Sequence, residues 1–444
     1  MKPKITVIIP TLNTAKYITE CLESVLGQSI REIEVLVIDA DSTDGTAEII
    51  KEFEKNDNRV HLYRDDKRST GYAKNLGIDM ASAPYVAIVE PDDYLDKYAL
   101  ENLYKNIEET RADIAKGGFD SFIGNQENRM FFPKSVTDNA EDYGKVTTPR
   151  NNYSAFRWSM FEWLCLYRKE FLVKHNIRHN ETPGAAFQDI GFCFLTLSYA
   201  DKVVLINNVI YHYRCDNPNS SVKDSRKVFN TCNEYKYVRS VLEDHNDIWN
   251  NVKFPYCREF FHSNYVAYLR LSDELKPILS NEMHNIILEF IHKGFLDKDL
   301  FDSEEKKLLE QVILSSELFD KTMKECIDSM KPSLIELLEK VSDYEKVVIY
   351  GAGFFGANLQ YILQKFDKNI VAFIDGDSQK QGSFLNGKMI MSPELSTAEY
   401  TDALYLVANK HNSSQIKEKL ITIYKISPDR VCIVKVDELA INLI

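Results

Sequence analysis

The sequence lacks the features of a secreted or membrane-spanning protein. Its eight cysteines are scattered along 444 residues with no Cys-x-x-Cys pair, which fits reduced thiols in a cytosol better than a disulfide framework or a zinc site. No apolar run approaches the ~20 residues that a membrane-spanning helix needs, and the first residues enter a strand pattern without a signal sequence. We therefore expect a cytoplasmic location, with peripheral association at the inner face of the cell membrane as an additional hypothesis.

An excess of positive charge is also missing. The chain has 54 Lys and Arg residues against 67 Asp and Glu, a net charge of -13, which argues against nucleic acid as a partner. The net charge is still compatible with an anionic small-molecule substrate. A bound divalent cation or a few basic residues can make the local charge within one cleft positive. Length and composition, with 44% hydrophobic residues, are those of a globular protein of two or three domains.

Hydrophobic periodicity divides the chain into three predicted domains. Residues 1–222 alternate short apolar runs with helical patterns, which predicts an α/β domain with a mostly parallel sheet. Residues 223–340 carry amphipathic helical patterns without a strand signal, and we expect a helical linker, acceptor or oligomerisation domain, with a homo-oligomer as one hypothesis. Residues 341–444 predict a second, smaller α/β domain that opens with "VVIYGAGFFGANL".

Polar residues follow three predicted strands where each leaves the first sheet. The segments are "PTLN" (residues 10–13), "DADS" (residues 39–42) and "EPDD" (residues 90–93). In open α/β sheets, ligands bind beyond the carboxyl ends of the strands. Carboxylates at that edge can hydrogen-bond a nucleoside, or they can hold Mg²⁺ or Mn²⁺ through oxygen ligands that substrate phosphates and water complete. The sequence therefore predicts a combined nucleotide and metal site.

Four ordered motifs carry a resemblance to a known family. "ITVIIPTLN", "VLVIDADSTDGT", "GYAKNLGIDMASAPYVAIVEPDDYLD" and "FQDIGF" with the later "VIYHYR" resemble the successive motifs of the family 2 glycosyltransferases. The resemblance covers roughly residues 4–222 and implies the GT-A fold. It also implies an inverting enzyme that uses Mn²⁺ or Mg²⁺ to move a sugar from a nucleotide-sugar, expected to be a UDP-sugar. The implied acceptor is a hydroxyl group of a growing surface glycan, on a saccharide or a lipid-linked saccharide.

The resemblance implies roles for individual residues in donor binding. Thr11 and Asn13 would lie against the base and ribose, and Asp39 would contact the uracil or the ribose. The segment that begins at Gly71 would line the diphosphate. The full implied donor-binding set is Pro10, Thr11, Asn13, Asp39, Asp41, Gly71, Lys74, Asn75, Glu90 and Asp92.

The metal site and the catalytic base are implied in the same way. Asp92 would ligate the cation with Asp93 beside it, and Asp189 matches the acidic residue that serves as the base. The chemistry needs both groups. A cation neutralises the charge that develops on the departing diphosphate, and a carboxylate must take the proton of the attacking hydroxyl.

The chain departs from the family pattern at four positions. Ala40 stands where the family often has a second Asp, Glu90 replaces the first Asp of the metal motif, and Gln188 replaces a Glu before the base. Lys74 stands where Arg is common, which changes a forked phosphate contact into a point charge. The departure at Ala40 puts one contact with the nucleobase in doubt. None of the four departures removes the implied metal ligand or the implied catalytic base.

Several residues keep two interpretations. His212 is either a cation ligand or phosphate contact, or a satisfied, partly buried histidine. Arg214 and Ser221 either contact the diphosphate or acceptor, or belong to an ordinary loop. Arg68 is a further candidate contact of the diphosphate or acceptor. Trp163, near Trp158 and Glu162, belongs either to an acceptor platform or to the core.

The third domain carries its own glycine motif. Gly351, Gly353 and Gly356 follow a strand and open a helix, and Asp375 lies 24 residues beyond Gly351, where an acidic residue would meet a ribose. This unit resembles the small Rossmann-like domains appended to sugar-modifying enzymes, so a second nucleotide site is one hypothesis. The alternative is a glycine turn that only permits helix–strand packing.

Two other functions stay open at this point. One is an NAD(P)-dependent sugar oxidoreductase that uses the third domain. The other is a non-catalytic scaffold that binds a nucleotide-sugar.

Overall fold

The computed structural model describes residues 2–185, 187–218, 228–410 and 412–434. These residues form two compact units. The first consists of Met1–Asp120 with Ser135–Asp320, and the second of Ser121–Lys134 with Lys321–Ile444. No helix in the described ranges is long and apolar enough to cross a membrane.

The first unit is built on a mixed sheet with a parallel core. Its strand order is β3-β2-β1-β4-β9-β6-β10-β5, and β8 pairs with β10. The strands are β1 (Ile5–Thr11), β2 (Ile33–Asp39), β3 (Val60–Arg64), β4 (Tyr85–Ile88), β5 (Tyr94–Leu95), β6 (Ile114–Ile123), β8 (Val146–Thr147), β9 (Cys165–Arg168) and β10 (Val203–Arg214). Strand β7 (Met130–Pro133) and the last residues of β6 belong to the second unit.

The first four strands alternate with helices because apolar runs and amphipathic segments alternate in the sequence. All seven residues of β1 are buried, as expected for a parallel strand with both faces covered. The helices of this part are α1 (Ile18–Leu26), α2 (Thr46–Asn56), α3 (Thr70–Met80), α4 (Ala99–Thr110), α5 (Lys169–Lys174) and α6 (Gln188–Tyr199).

Strand register brings the three predicted polar segments to one edge. Strands β1, β2 and β4 are parallel; Thr11 pairs with Asp39, and Ile8 pairs with Ile88. The carboxyl ends of all three strands therefore meet on the same side of the sheet. The predicted α/β fold class is confirmed.

Helices complete the first unit. They are α7 (Val228–Glu243), α8 (Asn246–Leu269), α9 (Lys276–His292), α10 (Ser303–Leu314) and α11 (Ser316–Ser342), the last of which continues into the second unit. Helices α7 and α8 both pack on α6. The contacts thus group α7–α10 with the first sheet, whereas the sequence predicts a boundary at residue 222. The three-domain division stays a prediction.

The second unit contains a separate sheet with the order β13-β14-β12-β11-β15-β16. Its strands pair in parallel except for the β13–β14 hairpin. The elements are β11 (Val347–Tyr350), α12 (Phe354–Gln364), β12 (Ile370–Ile374), β13 (Phe384–Leu385), β14 (Lys388–Met391), α13 (Pro393–Glu399), β15 (Leu404–Val407), α14 (Ser413–Thr422) and β16 (Val431–Ile433).

A hairpin from the middle of the chain completes this second core. Met130 and Phe132 on β7 are buried in the same hydrophobic cluster as the residues of β11 and α12. The Asn386 side chain donates to the Phe131 carbonyl oxygen at 3.0 Å and accepts from the Phe131 N–H at 2.7 Å. The second unit is therefore not contiguous in sequence, which the sequence pattern did not indicate.

Candidate active site

The turns after β1 and β2 are tied together by side chains of the predicted nucleoside contacts. The Asn13 side-chain oxygen accepts from the Thr43 N–H at 2.8 Å, and the Asn13 N–H donates to Ser42 Oγ at 2.8 Å. Ser42 in turn donates to Asp39 from its N–H at 3.0 Å and its hydroxyl at 2.5 Å. Asn13 holds a left-handed φ of 54°, which Asn tolerates better than most residues. Pro10 and Thr11 are buried behind these turns.

Asp41 and Arg68 lie at the exposed rim of this edge. Asp41 contacts Arg64 at 2.9 Å and Arg68 at 3.4 Å, with both arginine side chains more than half exposed. Ion pairs at such exposure contribute little to stability. A contact of either group with a bound donor stays a prediction.

The acidic turn after β4 contains two aspartates in different surroundings. Asp93 is buried, and its two oxygens accept from the Tyr211 hydroxyl at 2.8 Å and the Arg214 N–H at 2.7 Å. Burial, with the charge of Asp92 beside it, raises the pKa of Asp93 well above its usual range. Asp93 therefore fastens the turn to β10. Asp92 is half-buried, and its Oδ2 accepts from Asn217 Nδ2 at 2.7 Å.

Asp92 fits a cation better than the two other predicted ligands do. Burial raises the pKa of Asp92, so a cation there would relieve the cost of the charged form. The His212 ring instead has Nδ1 2.6 Å from Asp120 Oδ1 and stacks on Tyr94 at 4.3 Å. Among the described residues, no group of three His, Cys, Asp or Glu side chains could hold a metal ion by itself. One or two carboxylates completed by substrate phosphates are, however, the usual arrangement for Mg²⁺.

Arg214 supports the Asp92 turn from β10. Its Nε donates to the Asp92 carbonyl oxygen at 3.0 Å, its Nη2 lies 2.7 Å from Glu20 Oε2, and its guanidinium lies over the Tyr17 ring at 4.9 Å. The arginine is buried. These contacts hold the backbone of the acidic turn against α1. Ser221, the neighbouring predicted contact, lies outside the described residues.

Lys74 and Asn75 lie on the buried face of α3. The Lys74 ammonium group sits between Glu90, 2.8 Å from Oε1, and Glu162, with which it is hydrogen-bonded. Asn75 Oδ1 accepts from the His179 N–H at 2.9 Å. In this structure the partners of both side chains are protein groups, and a contact of this segment with the diphosphate stays a prediction.

Glycine 71 is required by close packing at the start of the same helix. A Cβ atom there would lie 2.0 Å from the Asn180 carbonyl oxygen. The segment around His179 and Asn180 therefore presses against α3, and any larger residue at position 71 would separate them. His179 was not indicated by the sequence, because no local pattern marks its distant partners.

Trp163 is part of an aromatic cluster. It is buried, and its ring stacks on Tyr211 at 4.2 Å, on Phe161 at 4.7 Å and on Tyr213 at 5.5 Å. Trp158 is also buried and donates to Asp142 at 2.8 Å. Both positions are those of core residues, and an acceptor platform at Trp163 stays a prediction.

Asp189 occupies the first turn of α6. The preceding Phe187 has a φ of 63°, and the Gln188 amide donates to the Thr182 and Gly184 carbonyl oxygens, at 3.2 and 3.0 Å. These bonds fix the start of the helix. Burial first, and the negative charge of Glu162 second, raise the pKa of Asp189 to about 7. A carboxylate with this pKa is well matched to accept a proton near neutral pH.

Two charged residues that the sequence did not indicate interact electrostatically with Asp189: Glu234 on α7 and Arg270 directly after α8. Glu234 is buried and accepts from Asn180 Nδ2 at 2.9 Å. Burial first, together with the charges of Asp189 and Glu162, raises the pKa of Glu234 to about 8. Arg270, just after α8, interacts electrostatically with Tyr213 and Asp189, while burial lowers its pKa. Amphipathic periodicity predicts these helices but not which distant groups their polar residues meet.

The raised pKa of Glu234 predicts a pH-dependent stability. Between its ordinary value of 4.5 and the folded value of about 8, the folded protein keeps a proton that the unfolded chain releases, so stability falls as pH rises. We expect Glu234→Gln to reduce the fall in the free energy of unfolding between pH 5 and 8, measured by urea denaturation. Glu310→Gln, at an exposed position on α10, should keep the wild-type slope. An unchanged slope in Glu234→Gln would contradict the prediction.

The glycine motif of the second unit has clear packing requirements. A Cβ at Gly351, whose φ is 118°, would lie 2.5 Å from the Ala408 carbonyl oxygen, and one at Gly356 would lie 1.8 Å from the Gly351 carbonyl oxygen. Gly353 meets no such neighbour. Asp375 Oδ2 accepts from the Ala352 N–H at 3.1 Å. Packing explains why glycine stands at positions 351 and 356, and a backbone hydrogen bond explains Asp375, without a bound ligand. A second nucleotide site stays a prediction.

Comparison with known proteins first gives the fold class. The chain is similar to the crystal structure of S. aureus TarS, with a TM-score of 0.54 and 19% identity, over 71% of this chain and 54% of that one. This likeness supports the GT-A fold for the first unit.

The family follows from sequence comparison. Residues 6–184 match the model of Glycosyl transferase family 2, and residues 343–432 match the model named C2185-like, N-terminal. Glycosyltransferase GlyG of Streptococcus pneumoniae is 29% identical over 55% of this chain and 78% of its own length. Glycosyltransferase GlyA of the same organism is 30% identical over 48% of this chain, but only 30% of its own length. The N-terminal part of the chain is a family 2 glycosyltransferase domain, and the predicted family and enzyme class are confirmed.

Proposed function

We propose that the protein is a metal-dependent, inverting glycosyltransferase that moves a sugar from a UDP-sugar to a hydroxyl group of a growing surface glycan. The observation that carries the proposal is Asp189, a helix-anchored carboxylate with a pKa of about 7 in the same unit as the Asp92 turn. UDP as the nucleotide and a surface glycan as the acceptor rest on the family resemblance.

Asp92 is the residue that would hold Mn²⁺ or Mg²⁺. Its half-buried carboxylate, with a pKa raised by burial, suits an oxygen-seeking cation that shares its other ligands with phosphate and water. Such a cation supplies electrostatic stabilisation of the departing diphosphate. Asp93 and Arg214 contribute by fixing the backbone of the turn that carries Asp92.

Asp189 is the group that would take the proton of the acceptor hydroxyl. A direct displacement at the anomeric carbon inverts its configuration and needs one base on the acceptor side, without a second nucleophilic carboxylate. The hydrogen bonds of Gln188 hold the first turn of α6, and a fixed base is what a near-attack geometry requires. The acceptor that we propose is a saccharide or a lipid-linked saccharide.

The proposal is tested with the purified full chain and a panel of UDP-glucose, UDP-galactose and UDP-N-acetylglucosamine. We expect release of UDP from at least one donor, with a rate that depends on added Mn²⁺ or Mg²⁺. Donor binding without release or transfer, with a candidate acceptor present, would favour a scaffold. Oxidation of a donor coupled to NAD(P)⁺ reduction would favour the oxidoreductase.

A further inference from the structure

Four charged or polar side chains, three of them fully buried, form a continuous series of contacts inside the first unit. Glu90, two residues after the end of β4, contacts Lys74 at 2.8 Å. Lys74 also contacts Glu162, and Glu162 contacts His179. The side chains of Lys74, Glu162 and His179 are 4%, 0% and 0% exposed, so water cannot screen the charges of Lys74 and Glu162. Glu90, at one end of this series of contacts, is two residues before Asp92 in the sequence.

His179, at the other end of this series of contacts, packs on α6, the helix that carries Asp189. The His179 ring stacks on Phe192 with ring centres 3.8 Å apart and planes 6° from parallel. Phe192 lies three residues after Asp189 on α6, and residues at this spacing share one face of a helix. The ion pair between Lys74 and Glu162 is thus packed, through His179, against the face of α6 from which Asp189 extends.

We propose that Lys74 and Glu162 are positioning residues that set the protonation state of Asp189 for the transfer reaction. This inference rests on the proposed function, in which Asp189 is the base. Because the pair is buried, each charge acts on Asp189 through a medium of low dielectric constant. Glu162 makes Asp189 a stronger base, and Lys74 limits that effect so that the carboxylate is still ionised near neutral pH.

The groups that face Asp189 come from several elements. Glu162 and Glu90 raise its pKa, and Lys74 lowers it. Glu234 on α7 and Arg270 after α8 also interact with it electrostatically, as does Cys193 on α6. Burial has the largest effect on the pKa of Asp189. This effect is the same in the wild type and in variants at Lys74 and Glu162, because Asp189 itself is unchanged. Changes in Lys74 and Glu162 therefore isolate the contribution of their charges.

The two residues predict shifts of opposite sign. Glu162→Gln removes a negative charge and should lower the pKa of Asp189, whereas Lys74→Met removes a positive charge and should raise it. A shift of about one pH unit in each direction is expected from a nearby charge. In the double variant both charges are removed, so the pKa of Asp189 should lie between its values in the two single variants. A loss of structure alone would not give this order.

The measurement is a titration of the full-length protein labelled with carboxyl-¹³C aspartate, followed by NMR. The Asp189 signal is the one that disappears in Asp189→Asn. Glu259→Gln breaks a comparably buried ion pair, with Arg258 on α8, and should leave the Asp189 titration unchanged. Glu162→Gln, which preserves size, provides the test even if Lys74→Met does not fold.

An Asp189 titration that is the same in the wild type and Glu162→Gln would overturn the inference. So would a shift in the same direction for both single variants. The titration does not depend on turnover, so these outcomes are distinct from a failure of the proposed function. That failure would appear as a wild type that releases no UDP from any donor. In an active protein, the acid limb of the kcat pH profile should move with the titration.

Discussion

The variant Asp189→Asn is expected to transfer sugar at least ~100-fold more slowly than the wild type, the usual contribution of a positioned base. Asparagine keeps the size and most of the hydrogen-bonding capacity of the aspartate but cannot take a proton. Affinity for UDP should be unchanged, because the base acts on the acceptor. Since the pKa of Asp189 is about 7, wild-type turnover should rise with pH through 7 as the carboxylate loses its proton.

The experiment compares initial rates of UDP release and transfer with calorimetric titration of UDP, in the wild type and in Asp189→Asn. Glu181→Gln is the matched control, because Glu181 is a partly exposed carboxylate on the neighbouring segment that pairs with Lys67 at 3.4 Å. It should retain near-normal turnover. Near-normal turnover in Asp189→Asn would contradict the assignment of Asp189 as the base. A loss of UDP binding would make Asp189 a donor-site or structural residue.

The sheet edge could be predicted because its signal is local. The apolar runs of β1, β2 and β4 are buried parallel strands, and parallel strands place their carboxyl ends together. The polar segments that follow Ile9, Ile38 and Val89 were therefore expected at one edge, and the strand register brings Thr11 opposite Asp39. The sequence motifs contained enough information to identify the family, which the comparisons confirm.

The buried interior of the site could not be predicted in the same way. Lys74 and Glu162 are 88 residues apart, and Asn75 and His179 are 104 apart. Each of these residues lies in a segment whose own pattern shows only a helix or a loop. A lysine near a predicted phosphate site suggests a phosphate contact, and only tertiary structure shows that two carboxylates surround it.

Non-contiguous assembly limited the prediction of the second unit. Its glycine motif and parallel strands were recognisable, because β11, α12 and β12 follow one another in the chain. The β7 segment was not, because Phe132 packs on Tyr361 at 5.9 Å across more than 200 residues of sequence. A local sequence pattern cannot show that residues 121–134, which lie between segments of the first unit in the sequence, pack in the core of the second unit.

The variant Asp92→Asn is expected to lose the Mn²⁺ dependence of UDP binding. The amide carries no charge and is a poor ligand for a hard cation, which prefers carboxylate oxygens. The fold should survive, because Asp92 is half-buried and the amide oxygen of asparagine can still accept the hydrogen bond from Asn217, which is 2.7 Å long in the wild type. Its neighbour Asp93, buried and bonded to Tyr211 and Arg214, would be a poor choice for this test, since its replacement would loosen the turn itself.

Calorimetric titration of UDP with and without Mn²⁺ measures the effect, and thermal unfolding checks the fold. Asp216→Asn is the matched control. It removes a negative charge that acts on Asp92 and lies 3.4 Å from Arg214, but it leaves the Asp92 carboxylate in place. Metal-dependent binding should persist in this control and disappear in Asp92→Asn. Equal UDP affinity with equal Mn²⁺ dependence in wild type and Asp92→Asn would show that the cation, if it binds, is held by other groups.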